Sequence, residues 1–192
     1  MIKKMIKGLL FDLDGTLVCT KKANYLSYKE AYATIGVELL EEDYSKVFGL
    51  RFDDMVELIT PGLSDSLKNK IKISKSKFYK KYLKVTRLNH VLVGMIKNST
   101  HMKKALVTTA SKNNALEVLR FYNLEDLFDA YVFGEDVTVG KPSPESYNLG
   151  IKALDMLPDE CLIFEDTLVG VCAGEDSGAS VLNISGWCSH SE

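Results

Sequence analysis

Histidine and cysteine are both scarce in this chain of 192 residues, and each scarcity closes off a class of function. The three histidines, at 90, 101 and 190, stand isolated and read as structural or surface residues. The four cysteines, Cys19, Cys161, Cys172 and Cys188, show no C-x-x-C spacing, so neither a zinc site nor a disulfide framework is indicated. A reducing cytoplasm is the expected compartment. A large excess of charge of one sign is also missing. The net charge of −2 gives no reason to expect affinity for nucleic acid or an anionic membrane. No apolar run approaches the roughly 20 residues that would span a bilayer. Residues 1–10 are basic and then apolar, but the run passes straight into Asp12 and Asp14 with no small-residue cleavage site, and reads as a first core strand. Internal repeats and low-complexity segments are absent too.

What is present is an ordinary globular composition, 46% hydrophobic and 26% charged, enough for one core domain carrying a small insertion. Residues 21–84 read as helical and highly charged. Apolar residues recur there at helical intervals: Tyr25, Tyr28 and Tyr32, then Met55, Leu58 and Ile59, then Phe78, Tyr82 and Leu83. Residues 60–64 break the pattern, and Ser64 is placed to cap the next helix. From Lys103 onward strands and helices alternate. Strands are expected at residues 105–109, 130–133, 161–164 and 180–184, with helices at 112–122, 144–154 and 168–177. That alternation predicts an α/β fold, a doubly wound, Rossmann-like parallel sheet covered on both faces. The helical block becomes an insertion: a core of residues 1–17 and 85–192, and a cap of residues 18–84.

The most informative segment is F-D-L-D-G-T-L-V, residues 11–18. Alternate residues of a strand share a side, so Asp12 and Asp14 should face one site while Leu13 faces the core. Two acids at the carboxyl end of a central strand repel unless a cation or shared proton intervenes, and open α/β sheets bind ligands at that edge. Three more polar patches fall at strand ends: Thr108-Thr109-Ala110-Ser111, Gly140-Lys141-Pro142-Ser143-Pro144, and Glu165-Asp166-Thr167. Singly, each reads equally as a helix cap, a loop lysine or an acidic helix start. Together they supply a nucleophile, a hydroxyl, a fixed cation and an acidic metal anchor, the parts phosphoryl transfer requires.

In these four motifs, in this order, the chain resembles the haloacid dehalogenase superfamily, in its phosphatase and phosphomutase branch with a helical cap. The resemblance implies a Mg²⁺-dependent phosphatase acting on a small phosphorylated metabolite, such as a sugar phosphate or a phosphoglycolate-like ester, through an aspartyl-phosphate. It makes Asp12 the nucleophile and Asp14 the general acid/base. Thr109, Gly15, Thr16 and Ala110 become phosphate contacts, and Lys141 the neutralising cation. Asp12, Asp166 and the Asp14 backbone carbonyl become metal ligands, with Glu165 behind them or ligating directly. Gly49-Leu50-Arg51-Phe52 occupies a stretch that in relatives approaches the substrate, so Arg51 is a candidate partner for an anionic group, beside the reading of a solvated helix-start arginine. Lys75 and Lys77 lie in a basic run, most of it a solvated face with about one lysine in four turned toward the cleft; Lys75 is taken as a substrate contact. The hinges are expected near residues 18–19 and 84–88.

The chain departs from the family at Cys19, where many relatives carry an Asp; Cys19 reads as an inert packed thiol, beside the alternative of a thiol near the site. Residues 89–94 replace the usual proline-glycine start of the following helix. A sugar phosphomutase is the first alternative, weakened because the position of a known mutase cap histidine falls near Asn24. Dehalogenase chemistry has no use for the acid Asp14 supplies, and phosphonate cleavage needs a Schiff-base lysine that neither Lys75 nor Lys77 establishes. A non-catalytic phospho-ligand binder is the alternative from another class. No nucleic-acid or membrane partner is expected, and a monomer is the default.

Overall fold

The computed structural model describes residues 5–188. Its centre is β1 (Gly8–Phe11), buried along its whole length. This strand pairs in parallel with β4 (Lys103–Val107) on one side and β6 (Cys161–Glu165) on the other. β5 (Ala130–Val132) and β7 (Ser180–Asn183) complete a five-stranded parallel sheet in the order β5-β4-β1-β6-β7. A strand enclosed on both sides needs apolar residues at every position, which is why β1 reads as a continuous run.

Alternate side chains serve opposite faces. Leu9, Phe11, Leu106 and Phe164 pack against α5 (His90–Asn98) and α6 (Lys112–Tyr122). Leu10, Ala105, Val107 and Ile163 pack against α7 (Glu145–Ala153) and α8 (Leu168–Asp176). Phe11 and Phe164 stack with ring centroids 4.7 Å apart, directly beneath the ends of their strands. Such a pair adds about 1 kcal/mol beyond its burial and stiffens the platform that carries the next residues, Asp12 and Glu165.

The inserted block consists of α1 (Lys21–Ala33), α2 (Glu41–Val47), α3 (Phe52–Ile59) and α4 (Asp65–Tyr82). It has its own hydrophobic cluster around Tyr32, Leu39, Tyr44, Met55, Val56 and Ile71. The chain crosses into and out of this block on two short antiparallel strands, β2 (Val18–Cys19) and β3 (Arg87–Leu88), with Val18 opposite Leu88 and Cys19 opposite Arg87.

α6 has the limits the sequence pattern predicts. β4 ends earlier than expected. Thr108 still bonds Val132, but its hydroxyl accepts from the Ala110 amide at 3.1 Å and turns the chain off the sheet. Ser64 does precede α4, yet its side chain makes no capping bond. Leu58 is exposed rather than core. His90 and His101 are exposed, while His190 lies outside the described residues. Cys19 and Cys188, 169 residues apart in sequence, are disulfide-bonded with Cα atoms 5.4 Å apart, so Cys19 is not an inert free thiol. Cys161 and Cys172 are free.

Candidate active site

All strands of the main sheet run the same way, so the ends of β1, β4 and β6 deliver their following residues to one edge. Asp12 arrives from β1, Thr108 and Thr109 from β4, and Glu165 with Asp166 from β6. Lys141 comes from the loop between β5 and α7 and is almost wholly buried.

The Lys141 ammonium donates to Asp12 Oδ1 at 2.8 Å, to Glu165 Oε1 at 2.5 Å and to the Tyr147 hydroxyl at 3.1 Å. Burial alone would push this lysine down, but Asp12, Glu165 and Tyr147 outweigh it and hold the ammonium well above its usual range. Tyr147 also donates to Glu165 Oε1 at 3.0 Å. Its position on the buried face of α7 reads in sequence as plain core, and only the phenol's need for a buried partner hints otherwise.

Glu165 accepts three further bonds on Oε2: from the Asp166 amide at 2.9 Å, the Thr167 amide at 3.0 Å and the Thr167 hydroxyl at 3.1 Å. A carboxylate offers about four lone-pair sites. Five donors therefore saturate it, and Glu165 is an anchor that aims Lys141 and shapes the 165–167 turn. Gly170 permits this, since a Cβ there would sit 1.8 Å from Glu165 Oε1.

Asp12, Glu165 and Asp166 present oxygens within 4.8 Å of one another. Burial raises Asp12 well above the ordinary carboxylate range, and the charges of Glu165 and Asp166 add to that. Asp166 is pushed up to about 7, by burial first and Glu165 second. Three acids against one ammonium leave uncompensated negative charge on hard oxygens. With Glu165 spent, the open donors are Asp12 and Asp166. This set fits a small divalent cation that keeps several waters, as Mg²⁺ does.

Asp14 faces elsewhere. Its Oδ1 accepts from the Thr20 hydroxyl and from Asn24 Nδ2 at 3.0 Å, both at the start of α1. Its carboxylate is not one of the three whose oxygens lie within 4.8 Å of one another. Gly15 follows with φ +100°, and a Cβ there would lie 2.1 Å from Asp166 Oδ2. At the two small residues expected at the phosphate, the Gly15 amide donates to Val18 O at 2.8 Å and the Thr16 hydroxyl to Asp166 Oδ1 at 3.0 Å. The Ala110 amide is likewise tied to Thr108. These residues build the loops around the site in this conformation.

Between the helical block and this edge lies a cavity lined by Asp14, Asn24, Tyr28, Lys75, Thr109 and Asn114, among others. The Thr109 hydroxyl donates across it to Gly49 O at 3.2 Å. Lys75 is the lysine of its run that turns inward. It is 4% exposed, its Nζ lies 3.7 Å from the centre of the Tyr79 ring and 5.2 Å from that of Tyr28, and it has no ion pair or hydrogen bond among the described residues. Burial lowers it to about 7, with Asp14 offsetting part of the effect. Asn114 Oδ1 is buried there without a partner. Arg51 is not among the residues lining this cavity. It donates to Thr138 O at 2.6 Å and packs over Gly140, joining α3 to the loop that carries Lys141.

A family model described as haloacid dehalogenase-like hydrolase matches residues 9–184. The chain is 30% identical over 178 residues to a protein of Thermotoga maritima named phosphorylated carbohydrates phosphatase, covering 90% of this chain and 82% of the other. It is 28% identical to hexitol phosphatase A of Escherichia coli K12, covering 93% and 82%. Among solved structures, CbbY from Rhodobacter sphaeroides in complex with phosphate superimposes with a TM-score of 0.87 at 23% identity, covering 98% and 90%.

Proposed function

The chain belongs to the haloacid dehalogenase-like hydrolases, and from that membership and the site's geometry we propose that it is a phosphatase for a small phosphorylated metabolite, a sugar phosphate or phosphoglycolate-like ester. The observation that carries the reading is the pair of acids two residues apart at the end of β1. Asp12 is buried against Lys141, and Asp14 stands at the cavity wall on hydroxyl and amide donors.

The roles follow from those surroundings. An Asp12 carboxylate oxygen attacks phosphorus and forms an aspartyl-phosphate, dividing one displacement into two. Lys141 holds that oxygen in place and meets the charge developing beside it. Asp14 passes a proton to the leaving oxygen and later takes one from the attacking water, with Thr20 and Asn24 fixing its angle. Thr109 exchanges its bond to Gly49 for one to a phosphate oxygen. Asp12, Asp166 and the Asp14 carbonyl would hold Mg²⁺, which supplies charge neutralisation at the phosphoryl oxygens. The helical block, residues 18–84, serves as the cap that excludes bulk water. Asn24 stands where a mutase would need a titratable side chain; an amide cannot carry that proton, which favours release of the phosphate to water.

Lys75 and Asn114 set the chemistry of the leaving group. An unpaired ammonium asks for a second anionic or strongly polar group, and an orphaned carbonyl asks for a hydroxyl. A screen of phosphorylated metabolites with Mg²⁺, scored by inorganic phosphate, tests the proposal. Phosphate release from polyol or hydroxyacid phosphates is expected, whereas sole isomerisation of a sugar phosphate, or tight binding without turnover, would sink it.

Lys75→Met should separate function from stability. The folded pKa of about 7 lies below the unfolded value of 10.5, so folding disfavours the charged form. The cost is full below pH 7 and fades as pH rises to 10.5. It amounts to several kcal/mol at most, about 1.4 per unit. The variant is expected to melt several degrees higher at pH 6, with the difference shrinking toward pH 10, while kcat/KM for the preferred ester falls at least about tenfold. A variant that melts lower at pH 6 would remove Lys75 from this role.

Metal removal should act on activity and stability together. Exhaustive chelation is expected to eliminate turnover, Mg²⁺ to restore it, and Ca²⁺ to substitute poorly because it prefers more ligands and looser geometry. Mg²⁺ should also raise the melting temperature, through binding to the native state alone. Full activity in the chelated protein would exclude the assignment.

A further inference from the structure

We propose that Cys19 and Cys188 form a reversible redox site that pins the hinge of the helical block. The inference rests on the reading of that block as a moving cap, and on the path of residues 184–188. Beyond β7 the Ile184 amide donates to Glu165 O at 2.7 Å, and its side chain joins the main core cluster. The chain then crosses both strands that connect core and cap. The Trp187 indole N–H donates to the carbonyl of Gly15, in the loop between Asp14 and β2. Cys188 is bonded to Cys19 of β2, and its carbonyl accepts from Arg87 of β3 at 3.4 Å. Cys19 and Arg87 face each other across the two-stranded ribbon, so one short segment fastens both crossings at one level.

The attachment point matters because of its neighbours. Thr20, the next residue after Cys19, donates its hydroxyl to Asp14, and Asp14 itself forms a bridge with Val18, the residue before. A covalent tie at Cys19 therefore holds the segment that orients the acid/base as well as the hinge. With the thiols reduced, the segment is retained by the Trp187 and Arg87 hydrogen bonds and by Ile184, contacts that can break and re-form during a cap movement. With the disulfide formed, residue 19 cannot leave residue 188. Both cysteines are half-buried, so a small thiol reagent can reach them at the surface.

The chemistry is thiol–disulfide exchange with a low-molecular-weight disulfide. One protein thiolate attacks a sulfur of the reagent and expels one thiolate. The second protein thiolate attacks the mixed disulfide and expels the other. Two electrons pass to the reagent, and the two protons leave with its two thiols. Reduction by a small dithiol runs the sequence backwards.

The test uses the full chain with Mg²⁺ in buffers of oxidised and reduced glutathione or dithiothreitol. The state of the pair is scored by alkylation and peptide mass. Trp187, the only tryptophan, gives a fluorescence signal beside Cys188 that does not depend on any substrate. Expected are a reversible Trp187 fluorescence change that tracks formation of the 19–188 peptide cross-link, and a kcat at least about threefold lower in the oxidised protein. Cys19→Ser and Cys188→Ser should keep the reduced-state kcat in every buffer. Absence of the cross-link in oxidising buffer overturns the site, and so does a cross-link that dithiothreitol cannot open in the folded protein. Equal kcat in both states, or serine variants that lose activity in reducing buffer, overturns the control of the hinge. Because cross-link and fluorescence are read without substrate, failure of the phosphatase assignment would leave the redox result legible.

Discussion

Asp12→Asn is expected to lose phosphate release by at least about 10³-fold while the protein stays folded. The amide is nearly the same shape as the carboxylate, and its oxygen can still accept from Lys141. What it lacks is the anionic oxygen that bonds to phosphorus. Stability should hold or rise in metal-free protein at neutral pH. Burial and the charges of Glu165 and Asp166 already push Asp12 well above the usual carboxylate range, so the native state disfavours its ionised form. A raised folded pKa means that stability is lost as pH climbs past the unfolded value, and asparagine removes that loss. The variant should bind a phosphate ester at least as well as the parent, having shed a negative charge. The measurements are phosphate release, melting temperature between pH 5 and 8, and ester binding by calorimetry. Substantial turnover by a sequence-verified variant would take the nucleophile away from Asp12.

Lys141→Ala should be costlier to the fold than any other substitution in the site. It strands Asp12 and Glu165, both buried, and removes a bonding partner from Tyr147. Breaking a buried pair by deleting one partner typically costs about 3–5 kcal/mol. A loss of that size is expected here in denaturant unfolding at pH 7.5, with activity below detection. Without the ammonium the two carboxyls ionise later, so the variant should recover part of its stability as pH falls toward 5, where they take up protons. Lys141→Arg restores the charge, but a planar fork does not fit where a point donor meets three oxygens. It should regain stability more than turnover. A Lys141→Ala protein as stable as the parent at pH 7.5 would contradict the electrostatic account.

The sequence displayed most of the core because the core obeys simple periodicities. β1 is buried on all sides and shows it as an unbroken apolar run. α6 carries its apolar residues at helical intervals between a serine cap and Asn123, so even its limits are readable. Asp12, Asp14, Lys141 and Asp166 stand out as candidates because each follows closely on a strand or sits in a short polar signature. What stayed hidden depends on contacts between distant residues. Tyr147 is one apolar-face residue among several until Lys141 and Glu165 meet its hydroxyl. Cys19 and Cys188 have no spacing to betray them. Arg51 is legible as a polar residue at a helix start, but whether it points at the cavity or at Thr138 is decided by how the helical block seats on the core. Glu165 could be named as acidic, while its exhaustion as a ligand depends on five donors that only the fold assembles.

The pairing of β1 bears on how the molecule is made. Gly8 lies beside Lys103 on one side and beside Cys161 on the other. A chain emerging amino-end first thus presents its most apolar strand long before either neighbour exists. Contacts so remote in sequence form slowly, because large loops must close before any pairing rewards them. The helices between Lys21 and Tyr82 can pack on one another in the meantime, since their cluster draws almost wholly on residues 25–78. Synthesis should therefore yield a folded helical block first, with the sheet closing only when β6 arrives. Until then the two ends of the catalytic edge are apart, and a partly made chain carries the nucleophile without the means to use it.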